Sequence, residues 1–327
     1  MPEPLLEVED LSVSYLTDNA DIGAVERVSL TVHAGEFLGI VGESGCGKST
    51  LLFAIAQLLS PPAEITSGRV VFRGQDLVQL TDNALRLVRW RDYSVVMQSA
   101  MNALNPMKSI GAQFKDTIRA HEHMSADSIR TRSAEVLHLV GIDAAHLESY
   151  PHQLSGGMRQ RAMIAMALLF TPQLVIMDEP TSALDVVAQR SLMTQIKELQ
   201  QQFGFAVIFV THDMSVVANY SDRVMVMYAG QVAELGDTNS IFERPLHPYS
   251  KGLLEAFPSV RGPRRPLIGI PGSPPDLGRP PSGCRFHPRC SEVMPQCLTT
   301  DPELYSVDET QVRCLLFAEN AATVAAR

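Results

Sequence analysis

The sequence predicts an α/β fold built on a largely parallel sheet. Two observations carry that expectation. The segments PQLVIMDEP and FAVIFVTHD are continuous apolar runs that end in acidic or polar residues, as strands buried on both faces of a parallel sheet read. Helical apolar spacing precedes each run, around Gln160 to Phe170 and Ala188 to Phe203, so helices and strands alternate. A chain of 327 residues, 45% hydrophobic and 19% charged, has apolar side chains enough for a substantial core.

Taken in order, Leu5 to Tyr15 alternates like a half-buried strand and Val25 to Val32 does the same, which predicts an antiparallel opening sheet. EFLGIVGESGCGKSTLLFAIAQLL then runs from a short apolar stretch through a glycine-rich turn into a helical pattern. The two helices and buried strands follow. From about Pro263 the texture changes to PRRPLIGIPGSPPDLGRPPSG, where the prolines and glycines argue against a helix or a central strand. A boundary near residue 260 is expected, with one domain over residues 1–260, its helical subdomain at about 95–165, and a small irregular cysteine-rich module over 261–327. No run reaches the ~18 apolar residues a membrane span needs. The N-terminal MPEPLLEVED lacks a basic and then apolar layout, so a cytoplasmic chain is expected. A net charge of −9 argues against a protein that binds by neutralising nucleic-acid phosphates.

Gly42 to Ser49, GESGCGKS, fits the phosphate-loop pattern G-x-x-x-x-G-K-[ST] in the required place, after a strand and before a helix. The glycines Gly42, Gly45 and Gly47 let the backbone around Glu43, Ser44 and Cys46 turn its N–H groups toward phosphate oxygens. Lys48 places a cation beside the β and γ phosphates, and Ser49, followed by Thr50, offers a hydroxyl to Mg²⁺. Asp178, in LVIMDE, is suited to hold the Mg²⁺ shell and Glu179 to polarise an attacking water. In LSGGMRQR, Ser155, Gly156 and Gly157 open a helical pattern and make an anion-binding helix start.

A phosphate loop, then LSGGMRQR, then a strand-end acid pair resembles the ATP-binding cassette (ABC) superfamily over nearly all of residues 5 to 255. The resemblance implies a RecA-like core with an antiparallel β subdomain and a helical subdomain. It implies that Tyr15 stacks on adenine and that Gln98, in VVMQSAMNALNP, touches Mg²⁺ and the water. It likewise implies that His212 contacts the γ phosphate, so that Glu179, His212 and Gln98 form the catalytic group and Ser49, Gln98 and Asp178 the Mg²⁺ group. Ser155, Gly156, Gly157 and Gln160 would close over the ATP held by another subunit, and Asp185 in SALD would cross to that subunit.

Ala103 to Pro106 (ALNP), His247 to Pro258 (HPYSKGLLEAFP) and Ile270 to Leu277 (IPGSPPDL) are similar to the ATPase subunits of oligopeptide and dipeptide importers, whose relatives also carry nickel, glutathione or oligosaccharides. That likeness implies a second, nonidentical ATPase subunit, two transmembrane permease subunits and an external solute-binding protein. It places the chain peripherally on the cytoplasmic face of the inner membrane, with no nucleic acid. Gln98-Ser99-Ala100 stands where Gln-Asp-Pro is common and Cys290-Ser291 where Cys-Pro is common, which leaves the solute open. Two alternatives differ in class. A nucleic-acid or ribosome cassette usually has two cassettes, a coiled-coil insertion or a basic surface; an exporter is disfavoured by ALNP and HPYSKGLL.

Three of the five cysteines lie in GCRFHPRCSEVMPQC and a fourth follows, with the spacing C-x5-C-x6-C-x16-C. In a reducing compartment a disulfide is the weaker use. Four thiolates surround either Zn²⁺ or an iron–sulfur cluster, spacing alone does not choose between them, and free thiols are a third option. The importer resemblance implies a [4Fe-4S] cluster on Cys284, Cys290, Cys297 and Cys314, with Zn²⁺ as the alternative. Cys46 reads as a tolerated residue at a variable position of the loop.

Overall fold

The computed structural model describes residues 3–17, 20–98, 103–182, 184–256, 269–319 and 322–323, so the boundary expected near residue 260 lies outside the described residues. The chain forms two compact units interleaved in sequence. One holds Val32–Phe37 and Gln79–Val210; the other holds Leu5–Thr31, Leu38–Val78 and the chain from Thr211 onward.

The second unit begins with strands β1 (Leu6–Tyr15), β2 (Ile22–Val32), β3 (Phe37–Val41), β4 (Ala63–Phe72) and β5 (Gln75–Asp76). A four-stranded sheet has the order β2-β1-β4-β5, and β1 runs antiparallel to β4 from Leu6 opposite Phe72 to Tyr15 opposite Ala63. In β1 the buried side chains are Leu6 and Val8 and then, one step out of phase, Leu11 and Val13. The slip is a bulge. Asp10 takes φ 44° and the register shifts between Glu9 and Ser12. Gly68 faces it at φ 86°, where an added Cβ would stand 2.5 Å from the Glu9 carbonyl oxygen and from Leu11 Cα, so only glycine closes against the bulge.

In the first unit β6 (Tyr93–Val96), β7 (Leu174–Asp178) and β8 (Ala206–Val210) pair in parallel, Leu174 opposite both Tyr93 and Ala206. Every residue of the three is buried, which is why LVIMD and AVIFV show no alternation. Helices at Ile110–His121, Ala126–Leu139, Gly156–Ala167 and Val186–Phe203 accompany them. The last two begin a few residues earlier than apolar spacing suggests, because Ser155 accepts from the N–H of Met158 and Asp185 from that of Ala188, fixing each start.

The second unit continues with β9 (Arg223–Tyr228), β10 (Gln231–Asp237), β11 (Tyr305–Val307), β12 (Thr310–Val312) and β13 (Ala322–Thr323). β9 lies parallel to β3, with Val41 opposite Val226, and antiparallel to β10. The tail departs from the irregular module expected of it. β12 adds antiparallel to β10, with Glu234 opposite Val312, and β11 adds to β12. The prolines and cysteines that precede it do not prevent this, because a short edge ladder needs only three residues without proline, and TQV supplies them. Phe286 anchors the segment between them, with its ring centroid 5.1 Å from Tyr228, 5.4 Å from Tyr249 and 5.6 Å from His247. No helix among the described residues is long and apolar enough to cross a membrane.

Candidate functional site

In the second unit the run FLGIV ends at a loop that passes directly into the helix Lys48–Ile55. Gly42 stands at φ 151°, where an added Cβ would meet the Met227 carbonyl oxygen at 2.2 Å. Gly47, the N-cap at φ 100°, would meet the Ala24 carbonyl oxygen at 2.2 Å. Those two positions have no room for a side chain, while Gly45, at φ 78°, has space around it and Ser44 is exposed. Lys48 is buried, and its ammonium donates to the carbonyls of Gly42 and Glu43, both at 2.8 Å. The loop thus folds around its own cation, whose charge lies at the start of the helix where an anion is also favoured. Thr50 accepts or donates a 3.1 Å bond with the Tyr15 hydroxyl, which brings the strand-end aromatic to the phosphate loop. Ser49 is half-buried and His212 exposed, just before the helix Met214–Tyr220. Cys46 is buried with its sulfur 3.7 Å from Lys48 Nζ, and burial pushes its thiol pKa up despite the lysine.

In the first unit Asp178 ends β7 and is 1% exposed, while Glu179 follows it in the left-handed region at φ 45°. A non-glycine residue there is strained, and such strain gathers where a side chain must be aimed. The Glu179 N–H donates to the Val210 carbonyl at 3.0 Å, and its carboxylate accepts from Gln98 Nε2 at 3.1 Å. Two residues 81 positions apart in the sequence are thereby in contact. Ser155 and Asp185 are both exposed N-caps, Gly156 and Gly157 form the first turn after Ser155, and Gln160 is only 5% exposed. In SALD, Ala183 lies outside the described residues, as do Ser99 and Ala100 after Gln98.

The four tail cysteines are free thiols. Burial pushes Cys284 up to about 11 and Cys314 up to about 12, and the nearby sulfurs of Cys297 and Cys290 add to the rise. Cys284 N–H donates to the Cys297 carbonyl at 2.9 Å, and the His287 ring is turned to the Cys284 carbonyl at 2.9 Å. The sulfurs suit a soft metal in kind but are not gathered as ligands. Among the described residues there is no group of three His, Cys, Asp or Glu side chains that could hold a metal ion, so the arrangement does not support the expected [4Fe-4S] or Zn²⁺ site. Burial of Cys284 and Cys314 favours the uncharged thiol over the thiolate that ligation needs. For Mg²⁺ the donors of Ser49, Gln98 and Asp178 are all oxygens, the set that ion prefers.

Sequence reasoning passed over Tyr249, whose buried hydroxyl accepts from the Glu43 N–H at 2.9 Å, and Arg289, which grips the Glu43 side chain. Their only sequence signal is an aromatic and an arginine inside HPYSKG and HPRC.

These features agree with comparisons to known proteins. The family described as "ABC transporter" matches residues 25–182, and that described as "Oligopeptide/dipeptide transporter, C-terminal region" matches residues 233–297. The chain is 42% identical to "Dipeptide transport ATP-binding protein DppD" of Caldanaerobacter subterraneus subsp. tengcongensis, over 96% of this chain and 98% of that one. It is 43% identical to "Oligopeptide transport ATP-binding protein OppD" of Haemophilus influenzae, over 97% and 98%. Among solved structures it resembles the dimeric post-hydrolysis state of the ATP-binding cassette MJ0796 bound to ADP and Pi, with TM-score 0.65 and 29% identity over 71% of this chain and 98% of that one. The cbiO1 cassette of Clostridium perfringens gives TM-score 0.64 and 28% identity over 74% and 92%. The chain belongs to the ABC transporter family. Within it, the chain falls in the branch that carries the oligopeptide/dipeptide C-terminal region.

Proposed function

We propose that the chain is the ATP-hydrolysing subunit of a membrane importer for oligopeptides, dipeptides or a related solute. The observation that carries this reading is the joint presence of the buried Lys48 cradle and the Gln98–Glu179 contact in a chain whose relatives are dipeptide and oligopeptide transport ATP-binding proteins. Phosphoryl transfer asks a protein chiefly for positioning and charge stabilisation. The backbone of Gly42 to Gly47 and the Lys48 ammonium bind the phosphates, and Tyr15 takes the adenine face. Glu179 receives a proton from the attacking water, which Gln98 orients, and His212 donates to the γ phosphate. Mg²⁺, held through Ser49, Gln98 and Asp178, would neutralise charge on the transferring group.

Ser155, Gly156, Gly157, Gln160 and Asp185 are assigned to the surface that meets a second, homologous but nonidentical ATPase subunit, forming a heterodimer with this chain. Two permeases and an extracytoplasmic binding protein complete the assembly, with this chain peripheral on the cytoplasmic face of the membrane. The domains are a cassette at 1–260 and a C-terminal module at 261–327. The tail's four thiols, Cys284, Cys290, Cys297 and Cys314, are assigned to iron–sulfur or zinc binding on the strength of their soft donor set alone. Reconstitution with the neighbouring permeases tests the reading: ATPase activity should rise when the binding protein and a peptide library are supplied. Activity indifferent to both, or stimulated by nucleic acid, would overturn it.

A further inference from the structure

Glu43 occupies a variable position of the phosphate loop, where the pattern demands no acid, yet it is held at two points from the far end of the chain. Its carboxylate accepts two parallel bonds from one guanidinium, Arg289 Nη1 to Oε2 at 2.6 Å and Nη2 to Oε1 at 2.9 Å. Its backbone N–H donates to the Tyr249 hydroxyl at 2.9 Å. The arginine itself is locked. Nε donates to the Pro271 carbonyl at 2.8 Å, Nη1 also reaches the Tyr228 hydroxyl at 3.3 Å, and the side chain is only 5% exposed. A buried, two-pronged charge pair is among the stronger and more directional contacts a protein makes.

The Glu43 carbonyl is in turn one of the two oxygens that hold the Lys48 ammonium, at 2.8 Å. One residue therefore links Arg289 to the lysine that binds phosphate. All of these groups belong to the same compact unit. Glu43 to Cys46 of the loop and the tail residues Pro275 and Leu277 also line a cleft of about 260 Å³, so the tail borders the loop over more than a single contact.

We propose that Arg289 is a positioning residue for the phosphate loop, acting through Glu43, and that the C-terminal segment thereby sets this chain's affinity for nucleoside triphosphate. The proposal rests on the ATP-binding reading above. It gives the tail a task in the nucleotide cycle: the arginine stands next to Cys290 in sequence, so its side chain ties the cysteine segment to the loop.

Full-length Arg289→Ala, Arg289→Lys, Glu43→Gln and the Arg289→Ala/Glu43→Gln pair should be titrated with a fluorescent ATP analogue and assayed for ATPase KM and kcat, beside Lys48→Ala. Arg289→Ala should weaken nucleotide binding about tenfold, the size of a coupling of this kind, and raise KM more than it lowers kcat. Arg289→Lys, which keeps the charge but not the fork, should fall between it and the wild type. The double variant should bind no more weakly than Arg289→Ala alone. Arg289 as mere tail anchor would lower the unfolding temperature with Kd and KM unmoved, and that result overturns the proposal. Should Arg289→Ala not fold, Glu43→Gln decides: unchanged affinity refutes positioning, severalfold weaker affinity supports it. A wild type that binds no better than Lys48→Ala would instead remove the ATP-binding reading itself.

Discussion

His247 opens the helix Pro248–Glu255 and is 4% exposed, with its Nδ1 accepting the Tyr249 N–H at 2.9 Å and its own N–H donating to Glu234 Oε2 at 3.0 Å. Burial lowers its pKa from 6.5 to about 4, with the charges of Lys251 and Arg313 adding to the effect. A depressed folded value means that the unfolded chain takes up the proton first. The contribution is therefore complete above pH 6.5 and is lost as pH falls toward 4. The full difference is worth about 3 kcal/mol, of which about 2 kcal/mol is gone by pH 5. Glu234 opposes this, because burial raises its pKa and the folded state then holds its proton more tightly. The perturbation that isolates the histidine is His247→Asn, since asparagine still caps the helix but does not titrate. Urea unfolding followed by circular dichroism at pH 7 and pH 5 should show the wild type losing about 2 kcal/mol more than the variant over that interval. Equal losses in both proteins would mean that the imidazole is not kept neutral by burial, and the reasoning would fail.

Three further outcomes are expected. Gly42→Ala would push a methyl group to 2.2 Å from the Met227 carbonyl oxygen and 2.8 Å from Cys46 Sγ, so ATP affinity should drop by at least about tenfold; calorimetric titration that matches the wild type would contradict the loop geometry. Phe286→Ala, at the centre of the Tyr228, Tyr249 and His247 rings, should cost about 3–5 kcal/mol in urea unfolding, and a change below about 1 kcal/mol would show that the tail does not depend on this packing. Protein purified without oxygen should carry iron and absorb in the visible range if the tail thiols hold a cluster, and Cys290→Ser should lower the iron content; metal-free protein would leave the four cysteines as free thiols.

Much of the fold and site is legible because local pattern and burial agree. LVIMD and AVIFV are apolar at every position and lie buried on both faces; GESGCGKS places glycine where a Cβ would strike backbone. The bulge in β1 is also visible, once noticed, as the half-step between Leu6-Val8 and Leu11-Val13. The tail is a different matter. Proline and glycine report what a segment does not form, and they conceal that TQV pairs with β10. Cysteine spacing gives donor types but not their distances, which is why an assembled metal site was expected and is not found among the described residues. Arg289 and Glu43 are 246 positions apart, and nothing local in HPRC or GESGCGKS points one at the other.

The central claim is that Glu179, strained at φ 45° and bonded to Gln98, is the base for ATP hydrolysis. A single-turnover assay with radiolabelled ATP and Mg²⁺, comparing wild type with Glu179→Gln at equal nucleotide occupancy, tests it most directly. The variant should bind ATP at least as well and hydrolyse it on the order of 10²–10⁴ times more slowly, the range general-base catalysis contributes. Hydrolysis at the wild-type rate would contradict it.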